Sequence, residues 1–213
     1  MDGVYLVTDR PLCGSRELAA VVAAAAGAGV SAVQLREKHA TTRQFMETAQ
    51  MILALLRPRG IPLIINDRID VALAVGADGV HVGQTDMPAA IARQLMGPGA
   101  IIGLSVETWI DVVAAEDLDV TYLGISPVFE TPTKTDTGIA WGLAGVARIR
   151  AFSRHPLVAI GGLNADNAAD VVAAGADSIA VVSAICAAAD PAQAVRHLKR
   201  AVDAGRARRR IRL

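Results

Sequence analysis

The sequence predicts a single-domain α/β protein folded as a (β/α)₈ TIM barrel. Three observations carry this. A short apolar run followed by a helical stretch recurs eight times along the 213 residues. The apolar runs are continuous rather than alternating, which marks strands buried on both faces of a parallel sheet. No linker or domain-sized remainder is left over, and eight units in about 210 residues sit at the compact end of the barrel range. A doubly wound open sheet is the competitor. It usually carries a glycine-rich turn after its first strand, and here that turn reads DRPLCGS.

The elements follow in order. Val4 to Thr8 is an apolar strand ending in Asp9, and Glu17 to Ala28 is an alanine-rich helix stopped by glycine. Ala32 to Leu35 is the second strand, leaving through Arg36, Glu37 and Lys38. Thr41 or Thr42 caps a helix that reaches Leu56 before Pro58 and Gly60 break it. Leu63 to Ile65 runs into Asn66 and Asp67, Val71 to Val75 is helical, and Gly79 to Val82 runs through Gln84 into Asp86. Met87 to Met96 carries Pro88 in its first turn, where a missing N–H does no harm. Ile101 to Leu104 is the fifth strand, leaving through Ser105 and Glu107; Thr108 to Glu116 is a helix and Tyr122 to Ile125 the sixth strand. A long polar segment, FETPTKTDTG from Phe129 to Gly138, precedes the helix Gly142 to Phe152. Leu157 to Ile160 closes on Gly161 and Gly162, Asp166 or Asn167 caps a helix to Ala174, and Ser178 to Val182 runs into Ser183. Pro191 to Val202 is the last helix. The domain is expected to span residues 1–203, with 204–213 a basic, frayed tail.

Composition narrows the function. Hydrophobic residues make up 53% and charged residues 20%, which is ample for a core, and 21 basic residues balance 21 acidic ones. Nothing in that balance asks for nucleic acid or an anionic membrane as partner. No apolar run reaches the roughly 18–20 residues of a membrane helix, and no secretory signal is visible, so a cytoplasmic protein is expected. Cys13 and Cys186 fit neither a disulfide framework nor a metal spacing and read as reduced, structural thiols.

A barrel places function at the C-terminal ends of its strands. Those exits hold Gln34, Arg36 and Lys38; Asn66 and Asp67; Gln84 and Asp86; Ser105; Thr131, Thr133 and Lys134; Gly161 and Gly162; and Val182 with Ser183. Asp67 and Asp86 end adjacent strands and suggest a hard-cation site, most simply Mg²⁺. Each also precedes a helix, so each alone could be an N-cap instead. Arg36 and Lys38 suit a diphosphate, since guanidinium binds phosphate oxygens bidentately and lysine adds point charge. Lys134 looks like a second anion contact on a mobile lid. Gly161, Gly162 and Ser183 occupy the place where barrels often hold a phosphate. His81, inside the fourth strand, reads as a buried, hydrogen-bonded histidine rather than a catalytic one. Two phosphate-like sites around one metal imply two small phosphorylated reactants. With no nucleophile–base pair evident, electrostatic stabilisation of a leaving diphosphate is the natural mechanism.

On these residues the chain resembles the thiamine phosphate synthase family. The matching pieces are YLVTDR at Tyr5 to Arg10, VQLREK at Val33 to Lys38, NDRIDVALAVGADGVHVGQTD at Asn66 to Asp86 and IIGLSVET at Ile101 to Thr108. They continue with YLGISPVFETPTKTDTG at Tyr122 to Gly138, VAIGGL at Val158 to Leu163 and AGADSIAVVSAI at Ala174 to Ile185. The resemblance implies a transferase of thiamine biosynthesis. It would join 4-amino-2-methyl-5-hydroxymethylpyrimidine diphosphate to a hydroxyethylthiazole phosphate, carboxylated in many members, releasing pyrophosphate, and CO₂ as well when the carboxylated form is used. It implies Mg²⁺ at Asp67 and Asp86. It implies pyrimidine-diphosphate contacts at Gln34, Leu35, Arg36, Glu37, Lys38, Asn66, Ser105 and Lys134, of which Arg36, Lys38, Ser105 and Lys134 would be catalytic. It implies thiazole-phosphate contacts at Thr131, Pro132, Thr133, Gly162, Val182 and Ser183. Two departures border the long loop: Ser126 stands where family members commonly have glycine, and Ile139 to Trp141 replace a proline-rich stretch. The alternatives are a related thiazole tautomerase, whose relatives tend to lose the two acids and the threonine–lysine pattern, and a non-catalytic binder of thiamine precursors.

Overall fold

The computed structural model describes residues 2–131 and 139–211. Eight parallel strands close into a barrel in sequence order, each paired with the next and β8 paired back to β1. They are β1 (Gly3–Val7), β2 (Ala32–Leu35), β3 (Leu63–Asn66), β4 (Gly79–Val82), β5 (Ile101–Val106), β6 (Tyr122–Ile125), β7 (Leu157–Ala159) and β8 (Ser178–Val181). The helices are α1 (Leu18–Ala28), α2 (Thr42–Leu56), α3 (Ile69–Val75), α4 (Ala89–Met96), α5 (Trp109–Ala115), α6 (Gly142–Phe152), α7 (Ala168–Ala174), α8 (Ser183–Cys186) and α9 (Pro191–Ile211). The (β/α)₈ expectation holds, and the open-sheet alternative does not.

Successive side chains of a strand point to opposite faces, so each strand divides its residues between two cores. The outward set, such as Leu6, Val33, Leu35, Ile65, Val80, Ile102 and Leu123, packs under the helices in one large buried cluster. The inward set forms a second, smaller cluster of Tyr5, Val7, Ala32, Ile64, Tyr122, Val158 and Ala180. Helix α2 shows how the outer layer is held. A capping box at Thr41 and Gln44 satisfies its first turn. Phe45, Ala49, Ile52, Leu53 and Leu56 then form its buried stripe. Each large side chain buried this way contributes roughly 1.5–3 kcal/mol.

The floor of the barrel is closed by a repeated Gly-Ala-Asp. Gly76 and Gly175 end α3 and α7 with φ +65° and +133°, a region that favours glycine. The aspartates that follow then accept from the first N–H of the neighbouring strand: Leu63 N to Asp78 Oδ2 at 2.8 Å, and Leu157 N to Asp177 Oδ2 at 2.9 Å.

Two local expectations are corrected. The frayed tail is helical through Ile211. Gly205 brings α9 against α7 so closely that a Cβ there would stand 2.4 Å from Ala169 O. Beyond it, Arg206 pairs with Asp2, Arg208 with Asp170 at 2.7 Å and Arg209 with Asp177 at 3.3 Å. A run that reads as solvated charge is therefore tied to the barrel floor. The start of α7 also differs: neither Asp166 nor Asn167 caps it through its side chain. Asn167 Nδ2 instead donates to Gly162 O at 2.9 Å, bracing the turn after β7.

Candidate active site

At the C-terminal mouth of the barrel the inward side chains stop meeting one another, and a cavity of about 350 Å³ opens. Period two decides its lining. On β2 and its exit, Gln34, Arg36 and Lys38 face the cavity. Leu35 is fully buried in the outer core, and Glu37 turns away to bind Arg10 at 2.7 Å. The side chains of Leu35 and Glu37 therefore do not line the cavity. Asn66, Asp67, Asp86, Ser105 and Val182 also line the cavity. Gly162 and Ser183 lie outside that lining, and Thr131 is partly exposed at the edge of the described residues. Pro132, Thr133 and Lys134 lie outside the described residues.

The two acids do not cap helices. Arg68 and Pro88 occupy the N-cap positions of α3 and α4, and neither helix has a side-chain cap bond. Asp67 is the only non-glycine residue among those described with positive φ, +62°. That strain is tolerated best by Asp and Asn, and it is the kind of backbone cost that accumulates at functional positions. Asp67 N donates to His81 O at 2.9 Å, which holds the turn. Asp86 Oδ2 accepts from Gly83 N at 2.7 Å. Burial pushes the Asp86 carboxyl above its ordinary range, the Gly83 bond opposes this, and the neighbouring Asp67 raises it further. Two carboxylates pressed together in this way favour a cation between them. One is already present: Lys38 Nζ lies 2.7 Å from Asp67 Oδ2.

Among the described residues, no group of three or more His, Cys, Asp or Glu forms a metal cage. Two carboxylates are nevertheless the donor set typical of Mg²⁺, which keeps several waters and takes its remaining ligands from substrate phosphates. The site fits that ion.

The anion-binding side is as well defined. Arg36 Nη1 stands 3.8 Å from Asp9 Oδ2. This is beyond hydrogen-bond length, so among the described residues no carboxylate occupies its fork. After β7, Gly161 and Gly162 have φ +101° and +66°. A Cβ at either would stand 2.7–2.8 Å from the β6 loop, at Pro127 or Glu130. The pair thus lets two loops meet, as Phe129 N to Gly161 O at 3.1 Å shows. Among the described residues their own N–H groups have no backbone partner, which leaves them available to an anion.

Residues that sequence reasoning did not select also line the cavity: Tyr5, Tyr122, His81, Ser126 and Glu107. His81 is hydrogen-bonded as expected, to Tyr122 OH and Ser105 Oγ, both at 2.8 Å. The signal that could have found this group is the pair Gly103 and Gly124. A Cβ at Gly103 would stand 2.2 Å from Tyr122 Cζ, and one at Gly124 would stand 3.0 Å from His81 Cε1. Glycines inside two adjacent strands mark the room that two inward rings need. Gly103→Ala is expected to cost about 2–4 kcal/mol through overpacking, lowering Tm by roughly 5–15 °C. A thermal melt within about 2 °C of the parent would contradict this crowding. The two cysteines are buried, and burial pushes the Cys186 thiol up to about 12, which suits inert packing.

Fold and site together define a class: a barrel enzyme whose strand-end cavity holds paired acids against basic side chains, suited to a phosphorylated substrate. The chain belongs to the thiamine monophosphate synthase family, whose family model matches residues 4–185. It is 56% identical over 201 residues to thiamine-phosphate synthase of Albidiferax ferrireducens, covering 94% of this chain and 92% of that protein. It is 55% identical over 198 residues to thiamine-phosphate synthase of Leptospira biflexa, covering 91% of this chain and 94% of that one. Among solved structures, thiamine phosphate pyrophosphorylase from Pyrococcus furiosus superposes with a TM-score of 0.86 at 37% identity, over 95% of this chain and 96% of that one.

Proposed function

We propose that this protein is a transferase of thiamine biosynthesis that condenses the pyrimidine diphosphate with the thiazole phosphate, releasing thiamine phosphate and pyrophosphate. The observation that supports this best is the shared cavity. Gln34, Arg36, Lys38, Asn66, Asp67, Asp86 and Ser105 converge on one volume of about 350 Å³. It is of the size of small-molecule pockets.

In this reading Arg36 and Lys38 bind the diphosphate and stabilise the charge that grows on it as the C–O bond to the pyrimidine methylene breaks. Mg²⁺, when bound, is held by Asp67 and Asp86 and adds positive charge beside the leaving group. The bond breaks with its electron pair going to the diphosphate. The thiazole nitrogen then donates a pair to the methylene carbon and forms the new C–N bond. Gln34 and Ser105 orient the pyrimidine, while Gly162, Val182 and Ser183 hold the thiazole phosphate. No group on the protein has to move a proton at the reacting carbon. Thr131, Pro132, Thr133 and Lys134 belong to this reading as contacts of the β6 loop. Among the described residues no helix is long and apolar enough to cross a membrane. A biosynthetic role on small phosphorylated substrates suits the cytoplasm.

The test is turnover. Purified protein given both precursors and Mg²⁺ is expected to release pyrophosphate. If it releases none and only isomerises the thiazole phosphate, the synthase reading is lost to the tautomerase one.

A further inference from the structure

The barrel interior carries a hydrogen-bonded chain whose middle members, Tyr5, Tyr122 and His81, the reaction above leaves without a role. Gln34 Nε2 donates to Tyr5 OH at 3.0 Å, and Tyr5 OH lies 3.1 Å from Tyr122 OH. Tyr122 OH lies 2.8 Å from His81 Nδ1, and His81 Nε2 lies 2.8 Å from Ser105 Oγ. The chain thus crosses the barrel floor of the cavity from β2 to β5, and both of its ends, Gln34 and Ser105, line the cavity. It is a built feature. Tyr122 packs edge-on to Tyr5 and stacks on His81, and Gly103 and Gly124 leave the space for both rings.

One assignment of protons runs through the whole chain in a single direction. Burial holds both phenols well above their ordinary pKa, so each keeps its one proton. In that assignment Tyr5 accepts from Gln34 and donates its proton to Tyr122. Tyr122 accepts from Tyr5, so its proton goes to His81 Nδ1. That nitrogen is then an acceptor, the ring is neutral, and its proton sits on Nε2 and is donated to Ser105 Oγ. Ser105 is left with its own hydroxyl proton to donate into the cavity. At the other end, the amide nitrogen of Gln34 is engaged and its Oε1 remains as an acceptor.

We infer that Tyr5, Tyr122 and His81 are positioning residues whose one-way relay makes Gln34 an acceptor and Ser105 a donor, selecting a ring that offers an amino N–H and an unprotonated ring nitrogen. The inference rests on the function proposed above and deepens it. An aminopyrimidine presents that pattern. Its 4-oxo counterpart inverts it at the exocyclic position and the adjacent nitrogen, leaving like groups facing each other.

The experiment uses the full chain with Mg²⁺. Pyrophosphate release is compared between the aminopyrimidine diphosphate and its 4-oxo analogue, and ¹⁵N NMR of labelled histidine reads the His81 tautomer. The expected result is a neutral His81 with its proton on Nε2, and a preference for the amino substrate that falls about tenfold or more in Tyr122→Phe and in Tyr5→Phe. Tyr5→Phe cuts the relay at a different link, so either variant suffices if the other does not fold. A proton on Nδ1, or a preference unchanged in the variants, overturns the relay. If the parent protein releases no pyrophosphate from either compound, the proposed function fails, and the His81 tautomer alone decides the relay.

Discussion

Asp67→Asn is expected to reduce pyrophosphate release about 10²–10³-fold at fixed Mg²⁺, with part of the loss recovered at higher Mg²⁺. Asparagine is the informative choice. Asp67 sits at φ +62°, which Asn tolerates and most other residues do not. The backbone bond from Asp67 N to His81 O needs no carboxylate. The substitution therefore removes charge and keeps the turn. It also frees Lys38, whose ammonium lies 2.7 Å from the Asp67 carboxylate. Asp86→Asn is expected to have a similar effect on rate and an opposite effect on stability. Burial and the nearby Asp67 make the Asp86 charge unfavourable in the fold. Neutralising it is expected to raise the Tm of the metal-free protein by about 1–3 °C, the usual sign of a site kept at the expense of stability. Steady-state rates across a Mg²⁺ titration, with a melt of each variant, check both. Unchanged rates in the two variants at every Mg²⁺ concentration would refute the metal role.

Arg36→Ala is expected to lower kcat/KM for the pyrimidine diphosphate about 10²–10³-fold, and Arg36→Lys to restore only about a tenth to a third of that loss on a logarithmic scale. The reason lies in the geometry of the exit from β2. Arg36 N donates to Thr8 Oγ1 at 3.0 Å, which fixes the backbone. The guanidinium is left facing the cavity with Asp9 3.8 Å away, too far to occupy its fork. A planar fork can take two phosphate oxygens at once, and a lysine ammonium cannot reproduce that. The KM for the thiazole phosphate is expected to change less than threefold, since the contacts proposed for it lie after β6, β7 and β8 and not at the exit of β2. A lysine variant as active as the parent would show that only charge is needed at this position.

The fold was legible because barrel strands are buried on both faces, and a continuous apolar run such as LII at 63–65 betrays that burial without any partner in view. The exits were legible for the same reason. Each apolar run ends where the barrel ends, so the first polar residues beyond it, Arg36, Asn66 and Asp67 among them, lie at the mouth. What a run of letters does not show is which side of a strand faces in. Leu35 and Glu37 were grouped with Gln34, Arg36 and Lys38 on the family resemblance, and alternation keeps their side chains out of the cavity lining. Tyr5 and Tyr122 lie in runs read only as strands, and in the closed barrel their buried hydroxyls meet each other.

The basic tail shows the limit from the other side. Arg206, Arg208 and Arg209 have no acidic partner within one helical turn of sequence except Asp203, so locally they read as solvated. Their main partners, Asp2, Asp170 and Asp177, arrive only when the chain closes and α9 packs across α7. Sequence alone determined the eight units, the parallel sheet, the end of the barrel that carries chemistry, and the two acids and two cations that stand there. These follow from local rules: hydrophobic run length, strand exits and charge. The tertiary structure decided that Asp67 and Asp86 share one cavity instead of capping two helices. It also placed Gln34 and Ser105, 71 positions apart in the chain, at the two ends of one hydrogen-bonded path. Closure of the barrel brings such residues together, and contact between distant strands is a property of the closed sheet that no local pattern encodes.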